Sequence, residues 1–417
     1  MAEFPAPAAA AEAAGSAAEA PAAPAAPSPP AAKVAINGFG RIGRLCLRRA
    51  LADPRVAVVA INDPFLSDEH AAYLLQHDSV HGRLRAEVSA EPGALVVATG
   101  GGGRLRIPLF HEREGAPPWG GPDVCVLECS GVLTSAAAAA AHLEHCGRVI
   151  ISAPAKDDST PTYIVGVNDG RYDAAQRVVS NASCTTNALA PIAAVLHARF
   201  GIAEGLCTTV HAATATQLVV DGAARGAGAA KDMRAGRAVL DNIIPAATGA
   251  ARAVGLVLPA LAGRLSGVAL RVPVRDVSVL DLTCRLEAHA SYAEVVAALR
   301  EAAAEGPLRG ILGVSDEQLV SSDYIGDARS AVVDVGAGLA IGGGGGLVKI
   351  VAFYDNESAY AARMIDLAVV VMTPAPPPPH AAELAHQRAH VAEEGAASAD
   401  LRTFFKSQAA PGGTPQR

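Results

Sequence analysis

The sequence lacks the cysteine pattern of a disulfide framework or a zinc site. Its seven cysteines form no C-x-x-C pair, and no histidines accompany them at the spacing of a zinc ligand set. They are Cys46, Cys125, Cys129, Cys146, Cys184, Cys207 and Cys284. An odd number of scattered cysteines is typical of free thiols in a reducing compartment. We therefore predict neither disulfides nor a metal site.

The chain also lacks an excess of positive charge and a long hydrophobic run. Its formal net charge is -7 over 417 residues, which argues against nucleic acid as the main ligand, although single arginines can bind small anions. No apolar stretch reaches membrane-spanning length, so no membrane contact is predicted. With 51% hydrophobic residues, the chain is long enough for two domains and two tails.

Both ends of the chain have a composition that is typical of disorder. Residues 1–32 are almost all Ala, Pro and Glu, and in the segment 373–417 the run "PAPPPPH" begins at Pro374. We predict that both segments are largely disordered, with one short helix near 381–394. Import signals are rich in arginine and poor in acids, whereas residues 1–32 contain no lysine or arginine. Cytoplasmic location is the expectation, and an organelle is the alternative if residues 1–32 act as an import signal.

The pattern between the tails changes near residue 183. In the first part, short apolar strands at 34–36, 56–61, 124–127 and 149–151 alternate with helical stretches at 41–50 and 134–145. This alternation predicts a parallel sheet with helices on both faces. The later segments "GLCTTVHA", "GVALRVPV", "VSVLDLTCRLE" and "LVKIVAFY" alternate polar and apolar residues, which favours a large mixed or antiparallel sheet. The predicted fold is α/β in the first domain (33–182) and α+β in the second (183–355).

A glycine-rich loop follows the first strand. In "VAINGFGRIGRL", Gly38, Gly40 and Gly43 form G-x-G-x-x-G between a strand and a helix. Glycines allow the backbone to approach a pyrophosphate, and the helix N-terminus supplies free N–H groups. The next strand ends at Asp63, whose carboxylate would bind a ribose and repel a 2′-phosphate. The pattern predicts a dinucleotide site that prefers NAD to NADP; a glycine turn that serves only packing is the less favoured reading.

One cysteine stands in a polar setting before a helical run. Cys184 lies within "SNASCTTNALAPI", just before the apolar stretch 188–200. A helix N-terminus stabilises a thiolate, so we expect this thiol to be ionised at neutral pH and to act as a nucleophile. A nucleophilic thiol usually has an imidazole beside it. His211, at the end of the strand in "GLCTTVHA", is the candidate, although a lone histidine at a strand end is as often structural.

Seven blocks together resemble phosphorylating glyceraldehyde-3-phosphate dehydrogenases. In order they are "KVAINGFGRIGR", "VAINDPF", "SNASCTTN", "TTVHAATATQ", "DNIIPAATGAARAVG", "RVPVRDVSVLDLTCRLE" and "YDNE", and the similarity runs from about residue 33 to 371. The resemblance implies a Rossmann-type domain, completed by a C-terminal helix at 356–372, and a catalytic domain. It implies oxidation of glyceraldehyde 3-phosphate with NAD and inorganic phosphate, through a cysteine thioester, by a homotetramer.

The resemblance also implies roles for individual residues. Cys184 would be the nucleophile and His211 its base. Phosphate groups would be bound by Ser183, Thr185, Thr214, Thr216, Thr248, Gly249 and Arg271. The cofactor would be bound by Gly38, Phe39, Gly40, Arg41, Ile42, Gly43, Asp63, Arg113, Ser130, Asn356 and Tyr360.

Departures from the family pattern leave alternatives open. The loop 221–237 is longer and richer in Ala and Gly than in the family, and the segment 341–348 is an unusually glycine-rich turn. A related reading is an erythrose-4-phosphate or hydrolytic aldehyde dehydrogenase, for which activity without phosphate would be evidence. A reading of another class is a paralogue that keeps the fold as a scaffold. The intact Cys184, His211 and Arg271 argue against a scaffold.

Overall fold

A computed structural model describes residues 32–99, 102–223, 232–341 and 346–373. Several predictions from the sequence lie outside these residues. They concern the N-terminal extension up to residue 31, the C-terminal tail from residue 374 with its short helix, residues 224–231 of the long loop, and residues 342–345 of the glycine turn.

The first half of the chain forms an eight-stranded sheet. Its strands are β1 (Ala32–Asn37), β2 (Val56–Asn62), β3 (Val88–Glu91), β4 (Ala94–Ala98), β5 (Arg104–Phe110), β6 (Gly121–Glu128), β7 (Cys146–Ile151) and β8 (Val178–Ser180). The spatial order is β3-β4-β5-β2-β1-β6-β7-β8. In this spatial order, the six strands β5, β2, β1, β6, β7 and β8 pair in parallel. Strands β4 and β3 extend the sheet beyond β5 with antiparallel pairing. The central strands read as apolar runs because both faces are covered.

Helices α1 (Arg41–Ala50), α2 (Asp68–Gln76) and α3 (Ala136–Ala139) belong to this half. The predicted helix 134–145 is wrong as a single element, since α3 gives way after four residues to a 3₁₀ helix, Ala140–Glu144. The carboxyl ends of β1 and β2 lie side by side, with Asn37 paired to Asn62. This edge is where a parallel sheet of this kind binds ligands.

The second half forms a seven-stranded mixed sheet. Its strands are β9 (Ile202–His211), β10 (Ile244–Ala247), β11 (Leu265–Arg271), β12 (Ser278–Leu286), β13 (Leu312–Ser315), β14 (Ala331–Ile341) and β15 (Leu347–Tyr354), in the order β10-β11-β9-β12-β15-β14-β13. Among the described strands of this sheet, β11–β9 and β13–β14 pair in parallel and the other pairs are antiparallel. The predicted fold class is confirmed: a Rossmann-type parallel sheet and a second, largely antiparallel one.

Helices α4 (Cys184–Phe200), α5 (Ala250–Val257) and α6 (Tyr292–Ala304) pack on one face of the second sheet, and α7 (Ser358–Met372) returns to the first. Helix α7 packs against α1 and against strands β1, β6 and β7. The side chains of Met364, Ile365 and Leu367 on this helix are buried. Within the described residues, none of the helices is both long enough and apolar enough to cross a bilayer.

Close packing requires two glycines where β1 leads into α1: Gly38 in the loop and Gly43 in the first turn of the helix. Gly38 has φ 91°, in the left-handed region, and a Cβ at this position would lie 2.6 Å from the backbone N of Ser130. A Cβ at Gly43 would lie 2.1 Å from the carbonyl O of Gly38. Gly40 differs, because a Cβ there would meet nothing within 4 Å. The loop is therefore held tightly against the sheet on one side and is open at Gly40.

This contrast yields a stability test. Gly43→Ala forces the loop away from α1, and we expect a loss of about 1–3 kcal/mol in the free energy of unfolding, as for other overpacked sites. Gly40→Ala, at negative φ, is the matched control and should change it by less than about 0.5 kcal/mol. Urea unfolding of both variants measures the difference. Equal stability of the two variants would contradict the packing described for Gly43.

Candidate active site

The carboxyl ends of β1 and β2 border an open cavity. It measures about 450 Å³, and its lining includes Gly38, Gly40, Asp63, Arg113 and Ser130. Asp63 links strand and loop, since its carboxylate accepts hydrogen bonds from the backbone N–H groups of Phe39 (2.8 Å) and Phe65 (2.9 Å). Its remaining lone pairs are available to a ribose. The Arg113 guanidinium lies 5.9 Å from the centre of the Phe65 ring, at the rim.

The first turn of α1 offers backbone donors to this cavity. No side chain caps the helix at Gly40, so the N–H groups of Arg41, Ile42 and Gly43 have no intrahelical partner. The Arg41 side chain forms ion pairs with Asp78 and Glu357, and Phe39 is fully buried. Arg41, Ile42 and Gly43 can therefore serve an anion through their backbone N–H groups, whereas the N–H of Phe39 already donates to Asp63. The open space at Gly40 and the uncapped helix fit a pyrophosphate group.

A buried carboxylate that was not predicted from the sequence supports the same edge. Glu128, at the end of β6, accepts hydrogen bonds from the N–H and hydroxyl of Ser130 and from Nδ2 of Asn37 (2.6 Å). It also faces Nε2 of His142 at 2.9 Å. Ser130 is thereby held at the cavity. The sequence carried no signal for this network, because His142 lies in an alanine-rich segment.

The thiol of Cys184 lies at the first helical position of α4. Ser183 caps this helix, since its hydroxyl accepts a hydrogen bond from the N–H of Thr186 at 3.0 Å. The Nδ2 group of Asn187 donates to the carbonyl groups of Asn181 and Ser183. Just before the cap, Ala182 has φ 52°, an uncommon value for a residue other than glycine. The cap, the amide and the strained residue together fix the direction of the cysteine side chain.

Cys184 and His211 are brought together, as predicted. The Sγ atom lies 3.5 Å from Nε2 of the imidazole. Burial raises the pKa of the Cys184 thiol, and the positive charge of Arg271 and nearby backbone N–H groups oppose this rise only in part. Burial and the same arginine lower the pKa of His211 to about 4. Burial of the thiol therefore opposes the stabilisation that the helix terminus gives to a thiolate, and the ionisation of Cys184 stays a prediction.

Arg271 completes this group. The parallel pairing of β11 with β9 sets Arg271 opposite His211, and Nη1 lies 2.7 Å from Nδ1 of the imidazole. The same Nη1 donates to the carbonyl O of Ala212 at 3.2 Å. The buried Nε has no hydrogen-bond partner within the described residues, and burial lowers the pKa of this guanidinium. A half-buried guanidinium without a carboxylate partner is a site for an anion.

Tyr354 connects the helix to the sheet behind the thiol. Its hydroxyl lies 2.8 Å from that of Thr185 and 2.7 Å from that of Thr209, and its ring contacts the His211 ring edge-on. The Thr185 hydroxyl is thus turned inward, and its backbone N–H is what it can offer to an anion. Tyr354 was not predicted as a site residue. The one feature of the sequence that points to a site role for this tyrosine is its position at the end of strand β15.

The remaining predicted phosphate ligands are not joined to this group by hydrogen bonds within the described residues. The hydroxyl of Thr214 pairs with Gln217 (2.8 Å) and faces that of Thr216 (3.3 Å). Thr248 accepts from the N–H of Ala250 at the start of α5, where Gly249 is the N-cap. Their hydroxyl groups bond only to near neighbours in the sequence. Their part in phosphate binding stays a prediction.

Asn356 and Tyr360 join the two halves of the molecule near the thiol. The amide oxygen of Asn356 accepts from the Ser278 hydroxyl at 2.6 Å, and that serine also accepts from the N–H of Ala212. The Tyr360 hydroxyl donates to the carbonyl O of Ala182 at 2.9 Å. Both residues are buried at the start of α7. Ser278 is a further positioning residue that the sequence did not reveal.

A dinucleotide cavity, a thiol at a capped helix start with its imidazole, and an arginine without a carboxylate partner among the described residues are typical of nucleotide-dependent aldehyde dehydrogenases that use a cysteine. Two family models match the chain: the NAD binding domain of glyceraldehyde 3-phosphate dehydrogenase at residues 32–136, and the C-terminal domain of the same enzyme at residues 183–356. The chain belongs to the glyceraldehyde-3-phosphate dehydrogenase family. The prediction of NAD as cofactor is confirmed by the first of these matches.

Curated relatives agree with this assignment. Glyceraldehyde-3-phosphate dehydrogenase 2 of Mucor circinelloides f. lusitanicus is 51% identical over 338 residues, which span 80% of this chain and 96% of the relative. The enzyme of Schizophyllum commune is 50% identical over 341 residues, or 81% and 96% of the two chains. A chloroplastic enzyme of Arabidopsis thaliana is 49% identical over 339 residues, or 80% and 77%.

The electrostatic role of Arg271 can be tested through thiol reactivity. Its positive charge lowers the pKa of the Cys184 thiol, so Arg271→Met should shift the midpoint of alkylation by iodoacetamide to higher pH. Arg264→Met, which removes an exposed arginine paired with Glu287, is the control and should leave the midpoint in place. Mass spectrometry of the Cys184 peptide measures the rates. An unchanged or lower midpoint in Arg271→Met would refute this role.

Proposed function

We propose that this chain oxidises D-glyceraldehyde 3-phosphate with NAD and inorganic phosphate to 1,3-bisphosphoglycerate, with Cys184 as nucleophile and His211 as base. Membership of the family supports the reaction. The observation that supports the residue roles is Arg271, which has no carboxylate partner among the described residues and lies beside a thiol and an imidazole that are 3.5 Å apart. A scaffold protein would have no need of a guanidinium without a carboxylate partner at this point.

The first step is addition of the Cys184 sulfur to the aldehyde carbon. His211 Nε2 accepts the thiol proton as the C–S bond forms, which avoids a free thiolate in a buried setting. The carbonyl oxygen becomes an oxyanion. The free N–H of Cys184 at the helix start and the protonated imidazole are suitable donors for it.

Arg271 would influence which ring nitrogen carries the proton. With the proton on Nδ1, His211 donates to the carbonyl O of Ala212, 2.8 Å away, and Nε2 is free to act as base. The guanidinium of Arg271 instead donates to an unprotonated Nδ1. A substrate phosphate that pairs with Arg271 draws its N–H groups away from the ring. Substrate binding would then favour the tautomer in which His211 is a base.

The second step depends on the cofactor, which Gly38, Gly40, Asp63, Ser130 and Asn356 would hold. NAD, when bound, supplies the acceptor for the hydride that leaves the hemithioacetal carbon, and a thioester remains on Cys184. An oxygen of inorganic phosphate then attacks the thioester carbon, the C–S bond breaks, and Cys184 leaves as a thiolate that regains its proton from His211. The thioester retains energy that a carboxylate would lose, which is why the nucleophile is a cysteine.

Two anion sites are required by this scheme. Arg271 with Thr214 and Thr216 would bind the phosphate of the substrate. Ser183, Thr185, Thr248 and Gly249 would bind the attacking phosphate. What supports the second set is the helix starts at α4 and α5, whose first N–H groups lack intrahelical partners.

We also propose a division into two functional units. Residues 33–182, with 356–372, would form the NAD-binding unit, and 183–355 the catalytic unit. The two sheets and the packing of α7 on the first sheet support this division.

The expected cytoplasmic location rests on the composition of residues 1–32. Microscopy of a fluorescent fusion with and without these residues tests it, and organellar signal that is lost on truncation would contradict it.

The assembly is proposed to be a homotetramer. On the second sheet, helices cover one face, while the other exposes apolar side chains on neighbouring strands: Leu206, Val268, Leu339, Ile341 and Leu347. Such a contiguous face is typical of a subunit interface. Light scattering after gel filtration should give four times the chain mass, and Leu206→Asp with Val268→Asp should lower it. A monomeric mass for the unaltered chain would refute the proposal.

The activity is tested by the phosphate requirement. NADH formation from glyceraldehyde 3-phosphate should need inorganic phosphate and vanish in Cys184→Ala. His211→Asn should lower kcat/KM by about 10²–10⁴-fold, the usual contribution of a general base. Cys207→Ala, a buried cysteine of β9, and His70→Asn, an exposed histidine, are the controls. Sustained turnover without phosphate would favour a hydrolytic aldehyde dehydrogenase. A higher kcat/KM for erythrose 4-phosphate than for glyceraldehyde 3-phosphate would favour an erythrose-4-phosphate dehydrogenase.

A further inference from the structure

A cluster of ionisable side chains lies where the loop after α2 meets the second sheet. It consists of His81, Asp276 and Asp355, whose nearest ligand atoms all lie within 4.8 Å of one another. Strand pairing explains the carboxylates: Ser278 at the start of β12 faces Tyr354 at the end of β15. The residues just before β12 and just after β15 are therefore neighbours. The cluster is not part of the active site described above.

Asp276 is the unusual member. It is only 2% exposed, and neither of its carboxylate oxygens has a hydrogen-bond partner within the described residues. Burial of a carboxylate without donors is costly. The group therefore requires a neutralising partner, which is either a proton or a cation.

The surrounding charges leave a deficit of positive charge. Arg41 is shared between Asp78 and Glu357. Arg49 approaches Asp355 but donates instead to the carbonyl O of Gly326 and the hydroxyl of Ser358. Within the part of the chain that the structure describes, neither Asp276 nor Asp355 forms an ion pair with a lysine or arginine. Among the ion pairs of the described residues, the basic partner of Asp276 is His81, and the same Nε2 also lies 3.3 Å from Oε2 of Glu357.

We propose that His81, Asp276 and Asp355 bind a divalent transition-metal ion such as Zn²⁺. Imidazole nitrogen and carboxylate oxygen are ligands of this ion at about 2.0–2.2 Å, so two tetrahedral ligand atoms are about 3.4 Å apart. Nε2 of His81 lies 3.4 Å from Oδ2 of Asp276. A water molecule would be the fourth ligand.

The setting of Asp355 matches that of a metal ligand. Its Oδ1 accepts from the N–H groups of Glu357 (3.0 Å) and Ser358 (2.7 Å), and its Oδ2 accepts from the N–H of Gly326 (2.7 Å). Ligating carboxylates are usually oriented by such second hydrogen bonds. An open cavity of about 660 Å³ has His81, Gly326 and Ser358 in its lining, so one of the three proposed ligands borders open space.

The bound ion would join three distant parts of the chain. The loop after α2 supplies His81, the turn before β12 supplies Asp276, and the residue before Asn356 supplies Asp355. Since Asn356 is a proposed cofactor ligand, the metal would stiffen the segment that carries it. The role is structural, and it does not depend on the proposed catalytic steps.

Zinc binding is measured on the full chain after alkylation of Cys184, so that this thiol does not bind the metal. Equilibrium dialysis with Zn²⁺ should show one tight equivalent per chain, and Zn²⁺ should raise the unfolding temperature. Asp276→Asn, which keeps the size and removes the charge, should weaken binding at least about 100-fold. His81→Gln should do the same, and it serves as a second variant if the first fails to fold.

Asp281→Asn is the matched control, because Asp281 is already paired with Lys349 on the same sheet; its zinc affinity should equal that of the unaltered chain. The proposal is overturned if the unaltered chain lacks the tight equivalent, or if Asp276→Asn and His81→Gln bind zinc as tightly as it does. Asp276 would then be neutralised by a proton. Neither readout depends on enzymatic activity, so failure here is separate from failure of the proposed function.

Discussion

The start of helix α4 is the constraint on which the site depends. Ser183 caps the helix, Asn187 ties its first turn to two carbonyl groups, and Ala182 accepts a left-handed backbone to make the turn. These contacts direct one thiol toward His211 at the end of β9. The cost of the strained residue is offset by a reactive group held in a single direction. In the proposed reaction, the same helix start would supply N–H donors for the charge that develops on the substrate.

Electrostatics at the site reflect competition between burial and the helix terminus. The position of Cys184 at the first turn suggested a stabilised thiolate, but burial raises its pKa and lowers that of His211. A buried ion pair without further donors would carry a desolvation cost. In the proposed reaction, proton transfer to His211 accompanies attack on the aldehyde. The positive charge of Arg271 acts on both Cys184 and His211. An anionic substrate would pair with this charge.

Much of the fold followed from local patterns, and the parts that did not have physical causes. The apolar alternation predicted α1 at 41–50 and the parallel strands around it. The start of α4 was predicted too late, at 188, because Thr185, Thr186 and Asn187 are weak helix formers that are nevertheless held by caps. The alanine run after Thr134 has strong helix propensity, yet it forms only a short helix before turning into 3₁₀ geometry.

Long-range contacts were beyond prediction from patterns. The sequence left open whether His211 is catalytic or structural, and the β9–β11 register is what sets it beside Arg271. Tyr354 contacts Thr185, which lies 169 positions away in the chain.

The central claim, that oxidation passes through a thioester on Cys184, is tested by trapping that thioester. The chain is mixed with NAD and glyceraldehyde 3-phosphate without inorganic phosphate, quenched in acid and examined by peptide mass spectrometry. An acyl group on Cys184, removed when phosphate is added, is the predicted result; NADH formation with no adduct, or with an adduct on another residue, would contradict it.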